Sequence, residues 1–246
     1  MRIMMMHKAD RFCEEDVPPP PKLVEEMGAL MGEMMQAGVL LGGEGLRTSA
    51  LGVRLRFAGG RRSELRGPFT GDNELPAGFT IVRVPSLDAA VDWATRYAAV
   101  VGDAEIDVRP VTEPWDIGVC PKPEGLATTR YMLLHKADRD SEAGVLPGAA
   151  QQAALAELRR QMVQAGVFVT AENLQASAKG VRLHYSGGRR TVTDGPFVES
   201  KELIAGYCLC RLESLAQAVQ WSVRFAAVVG DVEIDIRPVL EPPNPA

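Results

Sequence analysis

Gly187-Gly188-Arg189-Arg190-Thr191-Val192-Thr193-Asp194-Gly195-Pro196-Phe197 reads as the turn and second strand of a β-hairpin, closed by a sharp Gly-Pro turn. An earlier copy, Gly59-Gly60-Arg61-Arg62-Ser63-Glu64-Leu65-Arg66-Gly67-Pro68-Phe69, lies 128 residues upstream. The same offset superposes His7-Lys8-Ala9-Asp10-Arg11 on His135-Lys136-Ala137-Asp138-Arg139 and Val101-Gly102-Asp103 on Val229-Gly230-Asp231. Residues 1–113 align with 129–241 without a gap at roughly half identity, which marks an internal duplication. The chain therefore divides into a first domain at 1–113, a Pro- and Gly-containing linker at 114–128, a second domain at 129–241 and a tail at 242–246.

On either side of the hairpin, each copy shows the same order of patterns. A short, continuously apolar run, Ile3-Met4-Met5-Met6 or Tyr131-Met132-Leu133-Leu134, predicts a strand covered on both faces. A polar, Pro-rich loop leads to a helix with apolar residues at Met27, Leu30, Met34 and Ala37, or Leu155, Leu158, Met162 and Ala165, ended by Gly38 or Gly166. After a loop containing Glu44 or Glu172, Val53, Leu55 and Phe57 alternate with Arg54 and Arg56, as Val181, Leu183 and Tyr185 do with Arg182 and His184. A further strand, a helix capped by Ser86 or Ser214, and a last strand ending at Pro110 or Pro238 complete the order β-α-β-β-β-α-β.

This order predicts an α+β fold of two tandem ferredoxin-like domains. Two helices cover one face of a sheet, yet the first strand is apolar on both. The second face needs another cover, and the duplicate in the same chain supplies it, so the expectation is two sheets packed face to face as an internal pseudo-dimer.

Composition narrows the function. A net charge of -5, with 27 Lys+Arg against 32 Asp+Glu, builds no basic face for nucleic acid. Cys13, Cys120, Cys208 and Cys210 have no counterparts at matching positions, so an inherited disulfide framework is not expected; reduced thiols in a cytoplasmic protein are. The apolar start is too short to cross a membrane or act as a signal peptide. No Gly-rich phosphate loop, metal-ligand spacing or nucleophile elbow occurs, so chemistry without a metal or other cofactor is the expectation.

Lys136 to Gly144 together with Asp194-Gly195-Pro196-Phe197-Val198-Glu199-Ser200-Lys201-Glu202 resembles the YCII-related or DGPF-domain family, closely in the second copy and more loosely in the first. The resemblance implies a dimeric α+β barrel whose relatives include isomerases, dehydrochlorinases and small monooxygenases. It also implies an association with extracytoplasmic-function sigma factors. Two functions stay open: a cofactor-independent acid–base enzyme, of isomerase or lyase type, for a small anionic or aromatic molecule, and a non-catalytic binding or regulatory module. Further homo-oligomerisation is compatible with either.

His135 closes the first strand of its copy three residues before Asp138, as His7 does before Asp10; a neutral imidazole beside a carboxylate is a common general base, and some enzymes of the wider family use a His/Asp pair. His135, Asp138 and Asp194 are the catalytic candidates, and Arg182, Phe197, Glu199, Lys201, His7 and Asp10 the ligand-binding ones. Structural roles compete for each: a buried, satisfied histidine, and for Asp194 a turn carboxylate bonded to nearby backbone. In the first copy Arg66, Gly71 and Asn73 replace Asp194, Glu199 and Lys201 while Gly67-Pro68-Phe69 is kept, so an asymmetric site with its ionisable groups in the second copy is expected.

Overall fold

A computed structural model describes residues 1–71, 74–197 and 202–241. The first repeat contains β1 (Arg2–Lys8), α1 (Arg11–Glu14), α2 (Pro21–Gln36), β2 (Leu40–Gly45), β3 (Val53–Ala58), β4 (Arg61–Arg66), β5 (Pro76–Val84), α3 (Leu87–Val101) and β6 (Ala104–Pro110). The second repeats it as β7 (Thr129–Lys136), α4 (Arg139–Glu142), α5 (Ala149–Gln164), β8 (Phe168–Asn173), β9 (Val181–Ser186), β10 (Arg189–Asp194), β11 (Ile204–Arg211), α6 (Leu215–Val229) and β12 (Val232–Pro238). The local signals act as expected. Gly59-Gly60 and Gly187-Gly188 take the positive φ angles that a two-residue hairpin turn needs, and Gly38 and Gly166 end α2 and α5 at φ 68°. Ser86 and Ser214 cap α3 and α6 by accepting from Ala89 N and Gln217 N.

One segment in each repeat differs from expectation. Leu40–Gly45 and Phe168–Asn173, read as loops, are edge strands β2 and β8, giving six strands per repeat. Leu-Leu-Gly-Gly-Glu-Gly has neither alternation nor β-branched residues; β2 is a strand because β11 offers it a ladder from Gly206 to Cys210.

The strands form two antiparallel sheets, ordered β10-β9-β12-β1-β11-β2 and β4-β3-β6-β7-β5-β8. The fold is thus α+β with two ferredoxin-like layers, and the repeats are interlocked. The inner sheet takes β3–β8, consecutive along the chain; the outer sheet takes β1 and β2 from the first repeat and β9–β12 from the second. The first two strands of each repeat therefore complete the sheet of the other. Helices follow their strands: α3 packs with α5 over the inner sheet and α2 with α6 over the outer.

Alternation along the central strands separates three cores. On β1, Ile3 and Met5 point to the helices while Met4 and Met6 point to the other sheet; on β7, Tyr131 and Leu133 face the helices while Met132 and Leu134 face Met4 and Met6 across the middle layer. Phe79 and Tyr207 meet there with ring centroids 4.7 Å apart. The face-to-face packing read from the doubly apolar first strand is present. Bridges Leu46↔Val111 and Leu174↔Val239 join the ends of the two sheets and close them toward a barrel. Among the described residues no helix is long and apolar enough to cross a membrane.

Candidate functional site

The Gly-Pro-Phe motif explains itself first. A Cβ on Gly195 would lie 2.0 Å from Ser177 O, and one on Gly67 1.8 Å from Ser49 O, so only glycine fits. Phe69 N and Phe197 N donate to Ser49 Oγ and Ser177 Oγ at 3.0 and 3.1 Å. These serines donate in turn to Glu14 and Glu142, which also accept from the buried Arg109 and Arg237, each at 3.1 Å. Arg109 and Arg237 then cross to the opposite sheet, donating to Ile204 O at 2.7 Å and Pro76 O at 2.6 Å. The motif is an anchor in both halves. Asp194 stands outside it, exposed at the end of the edge strand β10.

On the side of the sheets that faces the middle layer lie two buried ion clusters, each joining both repeats. Arg54 binds Asp107 at 2.7 Å and Glu74 at 2.8 Å, and Lys136 from the second repeat reaches Asp107 at 2.9 Å and also contacts Glu74. In the outer half Arg182 binds Asp235 at 2.6 Å and Glu233 at 3.3 Å, and Lys8 from the first repeat lies 2.9 Å from Asp235. Burial pushes Asp235 up, but Lys8 and Arg182 together pull harder and leave it below the ordinary carboxylate value. Arg182 also covers the ring of Phe197 at 4.5 Å. Expected as a ligand fork, Arg182 is engaged within the protein, and Phe197 is its buried platform.

His135 and His7 occupy the opposite, helix-covered faces. His135, at the end of β7, continues the row of Tyr131 and Leu133 and lines a small recess with Thr80, Tyr97, Ile106, Leu133 and Met162. The recess has room for about one water molecule. Gly78 is opposite both His135 on β7 and Asn173 on β8. A Cβ there would come within 2.8 Å of His135 Cε1 and 2.9 Å of Asn173 Oδ1, so this glycine lets the imidazole and the amide converge. Burial lowers the His135 pKa from 6.5 to about 4, against the pull of the Asp138 charge and of a hydrogen bond to Asn173. The Asn173 amide oxygen beside the ring favours its protonated form. The Tyr97 ring lies 5.2 Å away, its hydroxyl pushed up to about 12 by burial and by Asp138.

Asp138 acts on His135 only through its charge. Its carboxylate caps α4, accepting from Ser141 N at 2.8 Å while Ser141 Oγ accepts from Asp138 N, a reciprocal capping box. Asp10 caps α1 similarly, accepting from Cys13 N at 2.8 Å. The expected trio is not assembled: His135 lies in the inner sheet and Asp194 at the far edge of the outer one, because strand exchange moved β7 away from the rest of its repeat. Glu199 and Lys201 fall outside the described residues.

His7 lies in a matching small recess in the outer half, lined by Met5, Cys208, Ser222, Phe225 and Ile234. Burial lowers its pKa to about 4 as well. Here Gly45 stands where Asn173 stands in the inner half, Phe225 replaces Tyr97 and Cys208 replaces Thr80. Asn173, Tyr97 and Thr80 were not expected at a site. Tyr97 sits on the helix α3 among apolar residues, and Asn173 lies in an edge strand whose pattern reads as a loop; its replacement by glycine in the other copy is the available signal. Among the described residues no three His, Cys, Asp or Glu side chains gather as a metal centre.

The family model for the YCII-related domain matches residues 1–115 and again 129–240. An uncharacterized protein of Rhizobium meliloti (strain 1021) is 32% identical over 68 residues, 28% of this chain and 55% of that protein, so the match spans about half of the relative's length. No solved structure matches the chain significantly. The chain belongs to the YCII-related family, with two tandem copies of its domain.

Proposed function

We propose that the recess beside His135 binds a small, largely apolar or aromatic molecule and carries out acid–base chemistry on it without a cofactor. The observation that carries this reading is the convergence of the His135 ring and Asn173 Oδ1 over Gly78, beside a recess that also presents Thr80 and Tyr97. With one ring nitrogen donating to the amide, the other keeps its lone pair for a substrate proton. Its low basicity suits a proton that is already activated by an adjacent carbonyl or ring. Once the imidazolium forms, Asn173 and the charge of Asp138 both favour it, which is where stabilisation raises the rate. Tyr97 supplies an aromatic face for the ligand. An anionic ligand is less favoured, since Arg54 and Arg182 are engaged by carboxylates on the other side of their sheets.

The enclosed space accepts a ligand only if the Tyr97 ring swings aside, so binding is expected to perturb α3. The chain has three histidines, and imidazole NMR of the labelled full chain can follow each one. Titration with small aromatic acids and lactones is expected to shift His135 first, and Asn173→Gly, which installs the residue found at position 45, is expected to abolish the shift. A bound compound that leaves His135 unmoved, or binds Asn173→Gly equally well, refutes the reading. Binding without turnover of any bound compound assigns the recess to a binding module instead.

A further inference from the structure

The two recesses share one frame, and the substitutions between them change the donor chemistry from oxygen to sulfur. Leu133, Thr80 and Arg159 of the inner half correspond to Met5, Cys208 and Met31 of the outer half. Met5 and Cys208 are direct partners across β1 and β11, and both point to the helix side. His7 follows two residues along the same row, and all three side chains line the one recess. Met31 Sδ lies 4.0 Å from Cys208 Sγ. Ser222 Oγ, which replaces Ala94, donates to Met5 Sδ at 3.2 Å, so one lone pair of this thioether faces the hydroxyl and the second is left for a metal. Beside His7, Gly45 offers no side chain where Asn173 brings an amide beside the other histidine.

We propose that this recess is a binding site for monovalent copper, with Cys208 Sγ, Met5 Sδ and a ring nitrogen of His7 as its ligands and Met31 Sδ as a more distant donor. Thiolate, thioether and imidazole in a three-coordinate arrangement are the donors that select Cu(I) over hard divalent ions. On binding, the Cys208 S–H bond breaks, a Cu–S bond forms and the proton leaves to solvent. The copper–thiolate unit is then neutral, and Phe225 and Ile234 wall it with apolar surface. A divalent ion at the same place would leave a net positive charge buried there, which is costly. The proposal rests on residues other than those of the His135 recess and stands or falls independently of it.

The test is anaerobic titration of the full chain with Cu(I) against the chromophoric chelator bicinchoninate. One Cu(I) per chain is expected to be withheld from the chelator, with a sulfur-to-copper charge-transfer band in the near ultraviolet. Cys208→Thr and Met5→Leu place at each position a residue close to, or the same as, its inner-half counterpart, so both variants suit the fold. Cys208→Thr is expected to lose the site and Met5→Leu to weaken it, while Cys13→Ser and Cys120→Ser keep it. Surrender of all copper by the native chain overturns the proposal. So does native affinity in either recess variant, or loss of the site in Cys13→Ser or Cys120→Ser.

Discussion

The interlocking of the repeats can be tested through one buried ion pair. Lys8 is 4% exposed and Asp235 0%, and their 2.9 Å contact exists only because β1 of the first repeat lies against β12 of the second. Without exchange, Lys8 would instead meet Asp107, the counterpart of Asp235 in its own repeat. Asp235→Asn removes the carboxylate shared by Lys8 and Arg182 and leaves a buried ammonium without its partner at 2.9 Å, a loss of about 3–5 kcal/mol. Lys8→Met is milder, about 1–2 kcal/mol, because Arg182 still satisfies Asp235 with bonds of 2.6 and 3.0 Å. The double variant lacks both members, and Arg182 keeps Glu233 as a partner, so its loss is expected to be smaller than the sum by about 1–3 kcal/mol. Lys8→Met combined with Asp107→Asn is expected to be additive within about 0.5 kcal/mol. Urea unfolding of the five variants and the native chain gives both coupling energies. Coupling between 8 and 107, with additivity between 8 and 235, would refute the exchanged topology.

Three further outcomes follow from the same structure. His7 and His135 sit at about 4 against 6.5 in the unfolded chain, so below pH 6.5 the unfolded state takes up protons that the folded state refuses. Stability is therefore expected to fall as pH drops from about 6.5 toward 4 and then to lose this slope, by up to about 3 kcal/mol per histidine; a His7→Gln, His135→Gln variant with the same slope across that window contradicts this. Gly195→Ala is expected to cost about 3 kcal/mol in urea unfolding through its clash with Ser177 O, whereas Asp194→Asn stays within about 0.5 kcal/mol; equal effects would contradict the anchor role. Residues 46–173, which contain the whole inner sheet, are expected to fold and to pair through the exposed middle face, whereas residues 129–241 retain only part of each sheet; sedimentation showing a stable monomer of 129–241 would contradict the interlocking.

How far the sequence spoke depends on whether a signal was local. Gly59-Gly60, Gly38 and Ser86 act through their own backbone neighbourhood, and their readings carried over unchanged. The doubly apolar Ile3–Met6 run also carried a tertiary message, because a strand with no polar face must be covered twice. Strand partnership was different. The partners available to β1 are Ile234-Asp235-Ile236 or Ile106-Asp107-Val108, segments so alike that pattern and charge cannot choose between them. The choice lies in geometry: the connection from Val111 to Thr128 lets β7 fold back antiparallel beside β6 and fill the position that β1 would otherwise take. Edge strand β2 was missed for a related reason, since Gly42 and Gly43 carry no side-chain signal and the strand depends on a partner far along the chain.

The exchange also changes what asymmetry means here. Sequence reading placed the ionisable groups of a site in the second repeat, with the first repeat completing the barrel. Each recess instead draws on both repeats: His135 and Asn173 meet Thr80 and Tyr97, while His7 meets Cys208, Ser222 and Phe225. In a dimer of identical subunits, symmetry would force any substitution into both recesses at once. In the tandem chain, glycine at position 45 leaves one imidazole without the amide that asparagine at 173 brings beside the other, and cysteine at 208 leaves threonine at 80 untouched. The middle layer and the Gly-Pro-Phe anchors serve both halves and tolerate no such freedom, because Arg109 and Arg237 each tie the anchor of one half to a backbone carbonyl of the other. Divergence is therefore channelled to the helix-covered faces, where a changed side chain meets its own recess and nothing of the opposite sheet.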